Sequence, residues 1–291
     1  MRVLVLGANG QLGSDILRRW RDPSVELVPA TRADADVTDR EAVDALLARV
    51  RPDVTINTAA FHNLPACEQD PERCFRVNVA GGLNVARAAK AAGSGIVQFS
   101  TDYVFDGTKG APYLETDARR ALNVYGASKL ATEDVVAQAN PDWAVVRVSG
   151  LYGLVGSAGQ GGHFVETMLR LARDGAPIRV VRDQVTAPTN TAEVAEALLP
   201  LVRAGMHGVY HLEPGAPCSW HEFATAIFTL LDSDVSVEPI TAAEFGAPFA
   251  RPAYSYLAST RVPHLRHWRD GLARYLREKG HLQEGAPSTS L

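Results

Sequence analysis

The segment V-L-V-L-G-A-N-G-Q-L-G, residues 3–13, decides the fold of this chain. An apolar run of strand length is followed by regularly spaced glycines and then by the pattern of an amphipathic helix. In a strand–turn–helix unit such glycines let the backbone approach a pyrophosphate, whose charge the N–H groups at the helix N-terminus meet. The spacing is G-x-x-G-x-x-G rather than G-x-G-x-x-G, and a glycine turn alone is also typical of ordinary loops. The candidate cofactor residues of this turn are Gly7, Asn9, Gly10, Gln11, Leu12 and Gly13.

Apolar runs of strand length alternate with helical patterns through the first half of the chain. The runs cover residues 26–29, 54–57, 96–99 and 144–148, and the helical patterns cover residues 40–49, 71–92 and 123–138. This alternation predicts an α/β fold, a Rossmann-type doubly wound parallel sheet with helices on both faces. Ligands of such sheets bind at the carboxyl ends of the strands. The residues that follow the strands therefore form one predicted rim, with Ala59, Ala60, Phe61 and Ser100 as further candidate cofactor residues.

Tyr125 and Lys129 are four residues apart in one predicted helix and therefore share a face of it. A nearby ammonium favours phenolate over phenol, so we expect Lys129 to lower the pKa of Tyr125 towards a value useful for acid catalysis. A hydroxyl from Thr101 or Ser100 would hold a substrate carbonyl in line with that phenol. Tyrosine and lysine at this spacing are also common on helix surfaces, and the pair gains weight only beside the glycine turn.

The length and composition of the chain suffice for a large α/β domain with a substantial core, and its charge does not indicate nucleic-acid binding. The chain has 291 residues, 46% of them hydrophobic, and a formal net charge of −4 without a basic stripe of the kind that nucleic acid requires. It has no apolar run of membrane-spanning length, and it begins directly with a strand rather than a signal peptide, so we expect a cytoplasmic location and no membrane partner. Cys67, Cys74 and Cys218 form no C-x-x-C pair and are interpreted as ordinary thiols.

The regular alternation is lost beyond residue 153, where a glycine-rich stretch, residues 156–162, precedes a predicted helix, residues 163–174. We expect residues 1–150 to form the dinucleotide-binding domain, with part of residues 190–211 returning to it. Residues 151–283 are expected to form mainly a smaller, mixed substrate-binding region. The polar, small-residue tail at residues 284–291 is expected to be disordered.

Several strings together resemble the dTDP-4-dehydrorhamnose reductase family, which belongs to the extended short-chain dehydrogenases. The resemblance runs from about residue 1 to residue 275, and its most specific part is S-T-D-Y-V-F-D-G, residues 100–107. The other strings are the glycine turn, D-V-T-D at 36–39, Y-G-A-S-K-L at 125–130, D-Q at 183–184, A-P-T at 187–189 and R-P-A-Y-S at 251–255.

The resemblance implies reduction of the 4-keto group of a nucleotide-linked 6-deoxyhexose by hydride from a nicotinamide cofactor. Tyr125 would then protonate the carbonyl oxygen, Thr101 would hydrogen-bond it, and Lys129 would tune Tyr125 and hold the nicotinamide ribose. The expected partner is the nucleotide sugar, and a homodimer is expected as one form because some relatives bridge a dimer with magnesium. The candidate substrate-binding residues are His62, Leu64, Thr101, Asp102, Tyr103, Gly150, Gln184 and Arg251.

Two departures from the family pattern lie near the expected sugar site. The family string V-D-x-A-E is replaced here by L-P-A-C-E at residues 64–68, and the family T-S-W by V-S-G at residues 148–150. Loss of the tryptophan removes a large stacking wall, and His62 and His163 add imidazoles. These departures leave the exact sugar open.

The end of the second strand bears on the choice of cofactor. An NAD enzyme places a carboxylate there for the ribose 2′-hydroxyl, whereas this chain has Thr31 and Arg32, which suit a 2′-phosphate. NADPH is therefore predicted. NADH stays the alternative because Asp34 and Asp36 follow closely, although Asp36 and Val37 are better placed to flank the adenine.

Two further positions have a functional and a structural interpretation. Asp15 and Glu193 lie near the positions through which some relatives bind magnesium, but both also suit exposed helix faces, and we predict no metal. Asn78 either orients backbone or water near the site or is an ordinary packed helix asparagine.

Two other functional classes stay open at this point. One is a non-catalytic NADP-binding regulatory subunit, against which the intact Thr101, Tyr125 and Lys129 count. The other is an epimerase or dehydratase acting on a nucleotide sugar. A dehydratase usually needs an acid–base pair after the threonine, and here Asp102 is followed by Tyr103.

Overall fold

The computed structural model describes residues 1–156 and 162–283. The predicted glycine-rich stretch lies partly, and the predicted disordered tail wholly, outside these residues. The β-strands, in chain order, are β1 (Arg2–Leu6), β2 (Glu26–Ala30), β3 (Val54–Asn57), β4 (Gly95–Thr101), β5 (Trp143–Val148), β6 (Ile178–Val181), β7 (Val185–Thr186), β8 (Gly208–His211), β9 (Cys218–Ser219) and β10 (Val237–Ile240). The α-helices are α1 (Gln11–Arg19), α2 (Arg40–Val50), α3 (Leu64–Gln69), α4 (Pro71–Phe75), α5 (Gly81–Ala91), α6 (Val124–Ala139), α7 (Phe164–Arg173), α8 (Thr191–Arg203), α9 (Trp220–Leu230), α10 (Ala242–Phe245) and α11 (Trp268–Glu278).

The centre of the protein is a parallel sheet. Within the described residues it has six strands in the order β2-β1-β3-β4-β5-β8, and each neighbouring pair runs in the same direction. The order reverses after β1, so the chain builds one half of the sheet, crosses over and builds the other, as in doubly wound folds. The predicted fold class is confirmed.

Strand β1 shows why the sheet is covered on both faces. Side chains alternate along a strand, and Val3 and Val5 pack into a core with α1 and α8, whereas Leu4 and Leu6 pack into a second core with α2 and α5. All four side chains are fully buried. A strand buried on both faces has a continuous apolar sequence, which is the pattern that this chain shows.

The later part of the chain forms a smaller layer beside the carboxyl edge of the sheet. Its core gathers apolar side chains of α7, α9 and α11 around Phe223 and Tyr275. Two short pairs, the parallel β6–β10 and the antiparallel β7–β9, support it. Between these elements the chain returns to the main sheet through α8 and β8, and β8 pairs with β5. The smaller layer therefore covers the rim where ligands of such sheets bind.

Candidate active site

A cavity of about 580 Å³ opens at the carboxyl edge of the sheet, between the glycine turn and the smaller layer. Most of the candidate residues named from the sequence line it. They are Gly7, Asn9, Gly10, Gln11, Leu12, Thr31, Arg32, Asp36, Val37, Ala59, Ala60, Phe61, His62, Leu64, Ser100, Thr101, Asp102, Tyr103, Tyr125, Lys129, Gly150 and Gln184. Gly13 and Arg251 lie outside the lining. Residues far apart in the sequence are thus brought around one space.

The glycine turn forms one end of the cavity. Gly7 has a φ of +76°, and a Cβ there would lie 2.6 Å from the Thr58 hydroxyl oxygen. A Cβ at Gly13 would overlap the carbonyl oxygen of Gly7, so Gly13 lets α1 pack on the turn from behind the cavity. Gly10 precedes α1 and has no side chain to cover the first N–H groups of the helix. These N–H groups carry partial positive charge and suit a pyrophosphate.

Thr101 and Tyr125 meet at the other end of the cavity. Thr101 is the last residue of β4, and Tyr125 lies in the first turn of α6, which Asn123 caps by accepting a 2.8 Å hydrogen bond from the N–H of Gly126. Helix α6 packs so closely here that a Cβ at Gly126 would overlap the carbonyl oxygen of Tyr103. Both side chains line the cavity here, and Thr101 is close enough to Tyr125 to affect the pKa of the phenol. A carbonyl at this point would meet both hydroxyl groups.

The pKa of Tyr125 differs from the sequence-based expectation. Burial raises it above its usual range, the charge of Asp102 adds to the effect, and the hydrogen bond with Thr101 opposes it. The pKa of Tyr125 is raised rather than lowered, contrary to the expectation from Lys129, because desolvation of the buried phenolate is the largest effect. The phenol is accordingly protonated at neutral pH, which is the form that a proton donor requires.

Lys129 is a buried side chain one helical turn after Tyr125. Burial lowers its pKa to about 8, and the carboxylate of Glu133 opposes this shift. The Nζ atom donates a 2.7 Å hydrogen bond to the carbonyl oxygen of Phe99. The interpretation of Tyr125 and Lys129 as a surface pair does not apply, because the Lys129 side chain is buried. Lysine is almost never fully buried without a partner.

Ser100 is committed to a buried ion pair. Its hydroxyl donates a 2.5 Å hydrogen bond to Glu133, and the same carboxylate accepts a 2.7 Å ion-paired bond from Arg147. Glu133 and Arg147 are 3% and 2% exposed. Of the two hydroxyl groups considered for the carbonyl, Ser100 is therefore held in the buried ion pair, and Thr101 is the remaining candidate.

Asp102 adds a carboxylate to the reacting end of the cavity. It accepts hydrogen bonds from the hydroxyl groups of Thr101, at 2.9 Å, and Ser255, at 2.6 Å. Burial raises its pKa to about 6, although these hydrogen bonds favour the charged form. Asp102 therefore fixes Thr101 and changes charge close to physiological pH.

Asn78 orients backbone near the site. The predicted helix over residues 71–92 consists of α4, a π-helical segment (Arg76–Ala80) and α5. Asn78 lies in the π-helical segment, accepts a 2.8 Å hydrogen bond from the N–H of Phe61 and donates one of 3.0 Å to its carbonyl oxygen. Such segments often occur at functional sites. Here the segment lets one amide hold the loop that follows β3.

Thr31, Arg32 and Asp36 form the rim at the end of β2. The Nε of Arg32 donates a 2.8 Å bond to Asp36, while the side chain stays 79% exposed. Thr31 donates to Asp34 at 2.9 Å. The guanidinium is thus held at the rim by one nitrogen, with its other N–H groups able to turn towards a bound anion.

Several cavity residues come from the part of the chain where no local pattern revealed them. They are Phe164, Thr186, Trp220, Pro252 and Ser255. Ser255 belongs to the string R-P-A-Y-S, so the resemblance offered a signal for it, whereas Trp220 offered none. Arg251 itself stacks on Phe245 and Phe249, with its guanidinium carbon 5.6 and 5.2 Å from their ring centres.

Asp15 and Glu193 are buried rather than exposed, contrary to the helix-surface interpretation. They are 1% and 4% exposed, and Asp15 accepts a 2.5 Å hydrogen bond from Thr191. The packing of α1 against α8 encloses both. Over residues 1–156 and 162–283 no group of three or more metal-ligating side chains is arranged to hold a metal ion.

None of the helices in the described ranges is long and apolar enough to cross a membrane. The three cysteines are buried free thiols.

The doubly wound sheet, with a threonine ending β4 and a Tyr–Lys pair on α6, defines an extended short-chain dehydrogenase/reductase. A family model described as the RmlD substrate binding domain matches residues 1–280. The chain belongs to this family, that of the dTDP-4-dehydrorhamnose reductases.

Individual relatives are similar along most of their length. The spore coat polysaccharide biosynthesis protein SpsK of Bacillus subtilis is 35% identical over 282 residues, which are 96% of this chain and 98% of that protein. The dTDP-4-dehydrorhamnose reductase of Mycobacterium tuberculosis (strain H37Rv) is 36% identical over 286 residues, covering 94% and 92%.

Solved structures agree with this assignment. The crystal structure of a dTDP-4-dehydrorhamnose reductase from Clostridium acetobutylicum has a TM-score of 0.90 at 37% identity and covers 96% of this chain and 99% of that one. The dTDP-4-dehydrorhamnose reductase of Bacillus anthracis in complex with NADP has a TM-score of 0.90 at 34% identity, covering 95% and 99%.

Proposed function

We propose that this protein reduces the 4-keto group of a nucleotide-linked 6-deoxyhexose, of the dTDP-4-dehydrorhamnose type, with NADPH. The observation that carries the proposal is the meeting of Thr101 and Tyr125 at one end of a cavity whose other end is the glycine turn. Family membership supports the same reaction. Sugar-nucleotide reduction is the activity by which the relatives from M. tuberculosis and B. anthracis are named.

The residues around the cavity fit a dinucleotide. Gly7 and Gly13 let the turn close tightly on Thr58 and on α1, because a Cβ at either position would overlap neighbouring atoms. The first N–H groups of α1 follow this turn and suit a pyrophosphate. Arg32 and Thr31 at the rim suit a 2′-phosphate, and the B. anthracis relative, which binds NADP, supports NADPH over NADH. When bound, the cofactor supplies the hydride.

The chain's own groups position and protonate the carbonyl. Without ligand the Thr101 hydroxyl donates to Asp102, and it would turn its hydrogen to the keto oxygen when the sugar binds. The phenol of Tyr125 donates the proton that this oxygen takes up as hydride reaches the carbon. The resulting phenolate is stabilised by the buried ammonium of Lys129 until a solvent proton replaces the one lost. Lys129 also suits the hydroxyl groups of the nicotinamide ribose.

The alternatives predict different outcomes. An NADP-binding regulatory subunit would bind cofactor without turnover, and the buried Lys129 and the hydroxyl groups of Thr101 and Tyr125 in the cavity would then have no chemical use. UDP-glucose 4-epimerase of Thermotoga maritima has a TM-score of 0.80, but at 16% identity this likeness shows the fold alone. A dehydratase would need a second acid next to Asp102, where this chain has Tyr103.

Loss of absorbance at 340 nm tests the proposal, with dTDP-4-keto-6-deoxy-L-mannose generated in situ and with NADPH or NADH. We expect turnover with NADPH, and a loss of about 10²–10⁴-fold in Tyr125→Phe with little change in NADPH binding. Tyr113→Phe is the matched control, because Tyr113 is buried and bonds Asp106 outside the cavity. Equal activity of Tyr125→Phe and wild type would refute the role of Tyr125. NADPH binding without turnover would favour the regulatory subunit.

A further inference from the structure

Gly150 leaves a space at the substrate end of the cavity, and the ring of Trp220 occupies it. Gly150 follows β5 with a φ of +50°. A Cβ at this position would lie 3.1 Å from Cη2 of Trp220 and 3.2 Å from Cα of Pro188. Gly150 and Trp220 both line the cavity. The edge of the indole ring therefore lies directly over the glycine backbone.

The indole is held in place from several sides. Trp220 is the first residue of α9, whose N-terminus is fixed by a reciprocal capping box between Ser219 and Glu222. Its backbone N–H donates a 3.4 Å hydrogen bond to the carbonyl oxygen of Gln184. The ring packs on Phe164, with 4.7 Å between ring centres and 44° between planes, and Phe164 also lines the cavity. Trp220 and Phe164 together form what we call the aromatic wall.

The aromatic wall and the reacting groups lie at the ends of neighbouring strands. Val148 pairs with Thr101 in the sheet, and Gly150 follows Val148 by two residues. Asp102, which binds Thr101 and Ser255, supplies polar partners in the same part of the cavity. A hexose at this place would have hydroxyl groups for the carboxylate cluster and a C–H face for an aromatic ring.

We propose that Trp220, supported by Phe164, is the wall on which the apolar face of the deoxyhexose packs, and that Gly150 is required because it makes room for that ring. The inference rests on the proposed function and names its substrate contact. It makes residues 150 and 220 a coupled specificity pair. A Cβ at 150 would crowd the indole at 220, so that one of the two must shift by a few tenths of an ångström.

Isothermal titration of two ligands, dTDP-rhamnose and dTDP, separates the sugar from the nucleotide. We expect Trp220→Ala to weaken dTDP-rhamnose binding about tenfold, a typical effect of losing a stacked aromatic ring. Binding of dTDP and of NADPH should stay within about twofold, and Trp220→Phe should recover part of the loss. Trp143→Ala is the control, since Trp143 packs on His207 outside the cavity.

Gly150→Ala tests the coupling in the reductase assay. It should raise KM for the sugar nucleotide while NADPH binding is kept, and it should add little in a Trp220→Ala background, where the indole no longer fills the space. Gly205→Ala is the matched control. Gly205 has a φ of +69°, and a Cβ there would lie within 4 Å of no atom of the described residues. Gly205→Ala therefore introduces the backbone strain of a positive φ without a steric clash.

Each result decides the inference. Equal loss of dTDP and dTDP-rhamnose binding in Trp220→Ala, or no loss of either in an active enzyme, would overturn the sugar contact and leave the proposed function intact. A KM in Gly150→Ala no different from that in Gly205→Ala would overturn the coupling. A wild-type protein that binds NADPH but neither binds dTDP-rhamnose nor reduces the keto sugar would instead refute the proposed function, and the inference with it.

Discussion

Lys129 gives the sharpest test of the site, because a lysine buried one helical turn after Tyr125, the proposed proton donor, links stability and activity to pH in opposite directions. The perturbation is Lys129→Met, which keeps the approximate length of the side chain and removes its charge. In the wild type, burial lowers the pKa of Lys129 to about 8 from an ordinary 10.5. The comparison of the two proteins across pH isolates this one group.

The sign and size follow from the two pKa values. Between pH 8 and 10.5 the unfolded chain keeps a proton that the folded chain has released, so stability rises with pH in this window. Below pH 8 the buried ammonium costs about 3 kcal/mol at about 1.4 kcal/mol for each pKa unit, and most of this cost is relieved by pH 10. In the wild type, both the charged and the neutral amine donate the hydrogen bond to Phe99. Loss of this bond in Lys129→Met therefore lowers stability by the same amount at every pH.

Urea unfolding followed by circular dichroism at pH 7, 8, 9 and 10 measures the effect. The free energy of unfolding of the wild type, relative to Lys129→Met, should rise by about 2–3 kcal/mol from pH 7 to pH 10. Over the same range kcat/KM of the wild type should fall above pH 8, because the ammonium that stabilises the phenolate is lost. Lys90→Met removes an exposed lysine and controls for the change in net charge.

A pH-independent difference between wild type and Lys129→Met would refute the reasoning. It would mean that the pKa of Lys129 is not lowered in the folded protein, either because the ammonium is solvated or because the Glu133 carboxylate offsets the effect of burial on this pKa. The activity profile alone would not replace this test, since Asp102 also titrates, with a pKa of about 6.

Three further substitutions test the ion pair and the cofactor end. Glu133→Gln leaves the guanidinium of Arg147 buried without a counter-charge and should cost about 3–5 kcal/mol in urea unfolding, most of it recovered when Arg147→Met is added; no recovery would contradict the ion-pair interpretation. Arg32→Ala should raise KM for NADPH about tenfold and leave that for NADH unchanged, whereas an equal rise for both would exclude a 2′-phosphate contact. Gly13→Ala, whose Cβ overlaps the Gly7 carbonyl oxygen, should abolish binding of both cofactors in a fluorescence titration, and near-normal binding would show that α1 can shift.

The strands of the sheet and the bounds of α6 could be predicted because they follow from patterns within short stretches of sequence. The apolar run before the glycine turn became β1, and the helix predicted over residues 123–138 is Val124–Ala139. Parallel alternation then places the carboxyl ends of the strands on one rim without any knowledge of side-chain packing. This rule, together with the resemblance, led to Thr101, Tyr125 and Lys129 as neighbours.

What the sequence could not show depends on packing between distant segments. Spacing along α6 reveals that Lys129 is near Tyr125, but only the folded structure reveals that burial controls both pKa values. The sequence suggested that Asp15 lies on an exposed helix face, but the packing of α8 against α1 buries it. Trp220 reaches the cavity from a helix that begins 70 residues after Gly150, and no periodicity connects the two.

The packing of α1 on α8 also has a consequence for synthesis on the ribosome. Ile16 of α1 and Trp20, which follows the helix, pack with Val194 and Leu198 of α8, and the indole N–H of Trp20 donates a 2.7 Å hydrogen bond to the carbonyl oxygen of Ala195. At the usual rate of translation, α1 waits roughly 10–40 s before α8 is made. During that interval the nascent chain presents bare hydrophobic surface to chaperones, and a fragment ending at residue 150 would present it permanently.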